Sequence, residues 1–194
     1  MWTTPETGSR LERRSEEDHL SRFLDKPLRA LLALPGVYPV LAFLFARRAV
    51  IRGWSMYPTL APGEYVLFDR FAYRRSPPRR GDVVLASHPS RSGMRIVKRV
   101  VALPGDRVTI DGERCWVNGV PYGQAEGEPP ASGRTSTLGD DEYLLLGDAP
   151  YASTDAREFG PVTRHAIRAR AWLVYWPPGR VRLVRHSHRT EGQA

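Results

Sequence analysis

The chain has 194 residues, room for one domain with a small extension. Hydrophobic residues make up 41% of it, enough for a packed core and too many for a disordered polymer; a single cysteine, Cys115, excludes an intrachain disulfide framework and a multi-cysteine zinc site. The formal net charge of +8 rests on 27 Arg and only two Lys, Lys26 and Lys98, so a position needing mere positive charge carries Arg here and a surviving Lys needs a reason.

Residues 1–28 are polar and mixed in charge, a leader outside the fold. No residue from Ala30 to Ala46 is charged. As a helix this run spans roughly 25 Å, just short of a hydrocarbon core of about 30 Å. Arg29 before it and Arg47 with Arg48 after it can snorkel outward and lengthen the span. The segment 29–48 is therefore expected to be a membrane anchor helix, although Pro35, Gly36 and Pro39 weaken it and a short core or interfacial helix is the competing reading. Arg-Arg follows where a signal peptide would have a small-residue cleavage site, so the run is not a cleavable signal. Five basic residues from Arg13 to Arg29 stand against three from Arg47 to Arg52, a count that favours a cytoplasmic N-terminus.

Residues 49–185 read as a β-rich domain. Strand-like runs recur as EYVLFDR, GDVVLAS, MRIVKRVVAL, RVTIDGERCWVNGV, EYLLLGD, AIRARAWLVYW and VRLV, separated by turn formers. Asp111-Gly112 and Asn118-Gly119 are hairpin signals on either side of Arg114–Val117. A small hairpin and loop extension is expected over about 111–141, with 123–141 a loop rich in Gly, Pro and Ser. No amphipathic helix of useful length follows residue 50. Residues 186–194 read as a solvated tail, so the fold class is mainly β with antiparallel sheets.

Ser55 lies in Gly53-Trp54-Ser55-Met56-Tyr57-Pro58-Thr59-Leu60, where Gly53 permits close backbone approach and Pro58 stiffens the exit from a turn. A serine hydroxyl attacks well only when a base removes its proton. The five histidines are scattered, and none has a convincing Asp partner in the sequence. Lys98 is the other candidate. In a strand through Arg95 to Val101 it shares a face with Ile96 and Val100, while Arg95 and Arg99 point the other way. Burial on an apolar face favours the neutral amine, which can serve as a general base; arginine stays protonated and cannot. A snorkelling strand lysine is the competing reading. The third candidate block, Gly147 to Arg157, is dense in turn formers; Asp155 and Arg157 could pin the loop and Ser153 could hold a lysine amine.

Together these blocks resemble the bacterial type I signal peptidases, membrane-bound serine proteases with a Ser-Lys dyad. GWSMYPTL at 53–60 resembles the nucleophile block, RIVKRVVALPGDRV at 95–108 the general-base block and GDAPYASTDAREFGPV at 147–162 the loop beside the dyad. The resemblance implies Ser55 and Lys98 as the catalytic pair, Ser153 as the serine orienting the lysine, and Asp148, Asp155 and Arg157 as its supporting loop. Gly53 stands where some members carry a serine that helps bind the oxyanion, so backbone N–H groups around Gly53, chiefly that of Ser55, would supply that help. The implied fold is a signal-peptidase/LexA-like antiparallel β domain behind one N-terminal hydrophobic helix. The implied activity is removal of signal peptides after small residues in an Ala-x-Ala pattern. Ile51, Met56, Leu60 and Ile96 are the expected shallow apolar wall of the substrate site. Signal-peptide-bearing preproteins and the lipid bilayer are the expected partners, and neither a cofactor nor a nucleic acid is expected. The alternatives are a soluble Ser-Lys protease maturing a nickel-type superoxide dismutase precursor, and a non-catalytic Arg-rich nucleic-acid or membrane-surface binder.

Overall fold

The computed structural model describes residues 40, 43–149 and 159–186. The chain divides into two compact units, Met1–Leu44 and Phe45–Ala194. Of the first, almost all lies outside the described residues, including the expected leader and most of the expected anchor. Among the described residues no helix is long and apolar enough to cross a membrane.

The second unit is built from antiparallel strands, as the alternating apolar pattern predicts. In chain order they are β1 (Arg47–Val50), β2 (Tyr65–Asp69), β3 (Val83–Ser87), β4 (Arg95–Ala102), β5 (Arg107–Asp111), β6 (Arg114–Val117), β7 (Val120–Tyr122), β8 (Arg134–Thr137), β9 (Glu142–Leu146), β10 (Val162–Thr163), β11 (Ile167–Trp176) and β12 (Arg182–Leu183). One short helix, α1 (Ala72–Arg75), follows β2. The larger sheet runs β1-β2-β11-β3-β4-β9-β10, with β12 also paired to β11. The smaller runs β7-β6-β5-β8.

Both faces of the larger sheet carry core residues, which is why its central strands hold apolar residues on both faces instead of a strict apolar-polar alternation. One face carries Ile51, Met56, Leu60, Val66, Phe68, Val83, Leu85, Ala169, Ala171, Val174 and Val184. The other carries Val84, Ala86, Ile96, Val100, Tyr143, Leu145, Val162 and Ile167. A third cluster joins the smaller sheet to the ends of β4 and β9 through Val101, Ala102, Val108, Cys115, Val117, Leu144 and Leu146.

Several sequence boundaries move. Arg47 and Arg48, expected to close the hydrophobic segment, open β1, which pairs in register with β2 (Arg47 opposite Phe68, Val50 opposite Tyr65). The segment 123–141 is not all loop, because β8 lies within it and pairs with β5. All four β8 residues are exposed and polar, so no apolar alternation announces the strand; a hydroxyl pair between Thr109 and Thr135 at 2.9 Å helps to hold it. β7 contains Pro121 and survives because it is an edge strand. The turn between β6 and β7 has Asn118 at φ 53° and Gly119 at φ 82°, the left-handed pair that its Asn-Gly sequence predicts. The expected solvated tail begins too early, since His186 is packed against β3.

Candidate active site

Ser55 sits in a loop pinched at its base. Ile51 N–H donates to Glu64 O and Gly63 N–H to Ile51 O, both at 2.8 Å, so residues 52–62 project as one closed excursion. Inside it, Tyr57 N–H reaches Trp54 O at 2.9 Å and Leu60 N–H reaches Met56 O at 2.8 Å, fixing two successive turns around the serine. Met56 and Leu60 root the loop in the core. The space beside Gly53 is open: an added Cβ meets nothing within 4 Å.

Two arginines clamp the far side of this loop at Thr59. Arg182 donates to Thr59 O at 2.8 Å and holds Glu64 with both guanidinium ends, at 2.8 and 2.9 Å. Burial works against ionisation of Glu64, but the Arg182 hydrogen bond, the Ala61 N–H and the charges of Arg182 and Arg180 together hold its pKa below the usual carboxylate range. From β4, Arg99 donates to Thr59 Oγ1 at 3.0 Å.

Arg99 also binds Asp148 with two parallel bonds, Nε to Oδ1 at 2.8 Å and Nη2 to Oδ2 at 2.7 Å. Its Nη1 donates to the Gly81 carbonyl at 2.8 Å and the Arg185 carbonyl at 3.3 Å. Burial alone would weaken this guanidinium's charge; Asp148 more than restores it, and the pKa is raised. The sequence reading missed Arg99's role. The signal was present: Arg99 shares its strand face with Val97 and Val101, an apolar setting that a charge enters only with a partner.

Asp148 follows β9, which pairs with β4 so that Leu146 lies opposite Arg99. One residue on, Ala149 N–H donates to the Ser55 carbonyl at 3.1 Å. Ser55, Thr59, Arg99, Asp148 and Ala149 thus form one connected junction. Next to Arg99 in the chain, Lys98 is 3% exposed, opposite Val84 of β3 and on the Ile96–Val100 face, as alternation predicts. Described residues of the three blocks, Ser55 and Thr59, Arg99, and Asp148 and Ala149, thus meet although they are far apart in the chain.

The expected apolar wall is brought together only in part. Ile51, Met56 and Leu60 share one cluster, with Val97 packed against it, whereas Ile96 lies on the opposite sheet face. The physical reason is strand alternation: adjacent residues of β4 cannot face the same way. Met56 and Leu60 are also sealed, at 1% and 0% exposure. Ser153, Asp155 and Arg157 lie outside the described residues. An open cleft of about 610 Å³ adjoins the loop on its Arg182 side, lined by Trp54, Tyr57, Pro58, Arg180 and Arg182 among others. Two arginines of this basic chain are engaged in ion pairs within the fold, Arg80 with Asp106 at 2.7 Å and Arg182 with Glu64 at 2.8 Å.

Residues 26–176 match the family model described as signal peptidase, peptidase S26. The chain is 30% identical over 171 residues to a signal peptidase I of Leptolyngbya laminosa, covering 81% of this chain and 84% of that protein. It is 33% identical to the mitochondrial ATP-independent inner membrane protease subunit 1a of Arabidopsis thaliana, covering 66% and 69%. It is 31% identical to the mitochondrial inner membrane protease subunit 1 of Schizosaccharomyces pombe, covering 78% and 86%.

Proposed function

The chain belongs to the signal peptidase family, peptidase S26, a family of serine proteases, and on that premise we propose that it cleaves signal peptides with Ser55 as nucleophile and Lys98 as general base. Ser55 Oγ attacks the scissile carbonyl as the neutral Lys98 amine takes its proton. Lys98 returns that proton to the leaving amine and then activates the deacylating water. The Ser55 backbone N–H stabilises the oxyanion, with no hydroxyl from Gly53 to assist. Ser153 orients the lysine, and the loop of Asp148, Asp155 and Arg157 supports it.

The observation that carries this reading is the junction itself. Arg99 ties the nucleophile loop at Thr59 to Asp148, and Ala149 ties back to Ser55. Lys98, the neighbour of Arg99 in the chain but buried on the other face of β4 with Ile96 and Val100, is one of two lysines among 29 basic residues. Loss of hydration at its amine favours the uncharged form that a base must have.

The substrates are exported precursors cut after small residues, and the 29–46 segment anchors the enzyme in the cytoplasmic membrane with the β domain outside. A native protein that leaves membranes freely on an alkaline wash contradicts the anchor and favours a soluble maturation protease. The chemistry is tested by cleavage of a model preprotein in detergent by wild type, Ser55→Ala and Lys98→Arg. Both variants fold as wild type and lose at least about a thousandfold in turnover. Ordinary turnover by Lys98→Arg refutes the proton-transfer role.

A further inference from the structure

Residues 184–186 cross behind Arg99 as a strap. Val184 is buried in the core, and its N–H donates to Trp172 O at 2.9 Å. The Arg185 carbonyl accepts Arg99 Nη1 at 3.3 Å. His186 Nδ1 accepts the Val83 N–H at 3.3 Å, and Val83 is the cross-strand partner of Arg99. A ring nitrogen that accepts an N–H carries no proton, so this imidazole is neutral with its hydrogen on Nε2.

The groups around the ring define what a second proton would do. Asp82 Oδ1 lies 3.8 Å from Nδ1, and Arg170 of β11 reaches the same oxygen at 4.0 Å. The other Asp82 oxygen already accepts Tyr73 Oη–H of α1 at 2.9 Å and Arg79 N–H at 3.0 Å. Burial holds the imidazole below its ordinary pKa; Arg170 and Arg99 push it the same way, against Asp82 and a hydrogen bond with the Ala171 backbone.

We propose that Val184–His186 is a positioning strap for the active site, in which neutral His186 secures Val83 and the Arg185 carbonyl secures Arg99 within reach of Thr59 and Asp148, and that protonation releases it. On protonation Nδ1 changes from acceptor to donor. It turns from Val83 toward Asp82 and leaves the Val83 N–H without its partner. The native ring binds fewer protons than the unfolded one, so the strap is complete above the ordinary value of about 6.5 and weakens as pH falls from there toward the lowered native value. His186 touches no substrate; it acts through Val83 and Arg99. The link to turnover rests on the Ser55–Lys98 reading, whereas the strap itself does not.

The test compares wild type, His186→Asn and His186→Ala. Asparagine places a carbonyl oxygen near the Nδ1 position and does not titrate. The first readout is amide exchange at Val83 in a Ser55→Ala background, corrected for intrinsic rate. Protection in the chain with His186 falls by a few-fold to about tenfold between about pH 8 and pH 5.5, the worth of one net hydrogen bond. With His186→Asn it holds at both pH values, and with His186→Ala it is low at both. The second readout is kcat/KM for a preprotein against pH. Any pH dependence common to the variants cancels in the ratio of His186→Asn to wild type. That ratio is near one at about pH 8 and rises severalfold at about pH 5.5. Val83 protection unchanged by His186→Ala overturns the strap, and an activity ratio flat with pH overturns its coupling to the site. Protection that follows pH in a chain without peptidase activity supports the strap and removes the dyad reading instead.

Discussion

Replacing Asp148 by Ala strips a charged partner from a guanidinium whose side chain is 6% exposed. Arg99 keeps its bonds to Thr59 Oγ1 and to the Gly81 and Arg185 carbonyls, none of which carries charge. Breaking a buried ion pair from one side costs about 3–5 kcal/mol, because the surviving charge stays buried without compensation. For a chain of this length each kcal/mol moves the melting temperature by about 2–4 °C, so Asp148→Ala lowers it by roughly 6–20 °C. Circular dichroism during heating and urea unfolding at pH 7 measure this. The double variant Arg99→Met with Asp148→Ala costs less than the sum of the singles by about 1–3 kcal/mol, since it leaves no unpaired charge. The assay also reads function: loosening the junction lets Ala149 drift from Ser55, so kcat falls more than KM rises. A loss under about 1 kcal/mol, or strict additivity in the double variant, refutes the idea that this pair holds the three segments together.

Two further perturbations probe the surroundings. Glu64→Gln costs about 1–2 kcal/mol at pH 7 by weakening the paired bonds to Arg182, toward the low end because Arg182 is 38% exposed. The native Glu64 pKa is lowered, so this contribution is full above the ordinary carboxylate value and fades as pH falls through the lowered one. Urea midpoints of the two proteins converge in acid, and a gap independent of pH contradicts the assignment. Gly133→Ala drives a Cβ to 2.6 Å from Thr109 Cγ2 and 3.2 Å from Pro130 O. It costs about 1–3 kcal/mol by overpacking where β8 meets β5, read as a lower melting temperature.

Most strands were legible because alternation and turn residues mark them. MRIVKRVVAL and AIRARAWLVYW became β4 and β11, β4 with Lys98 on the Ile96–Val100 face as expected, and Asn118-Gly119 made its turn. β8 was not legible, since four exposed polar residues owe their strand state to β5 rather than to any periodicity of their own. β1 was hidden for a related reason: Arg47 and Arg48 look like the end of a hydrophobic run until β2 offers backbone partners.

The same division holds in the site. Composition and order by themselves singled out Ser55, Lys98 and the block after Leu146, because a lysine kept amid arginines and a serine in a stiffened turn are local chemical facts. Only tertiary structure could make Arg99 the tie between Thr59 and Asp148, separate Ile96 from Ile51, and press His186 against Val83. Those relations depend on which strands lie side by side. Strand pairing is decided by the burial of the whole sheet, a sum over distant residues that no short stretch of chain contains.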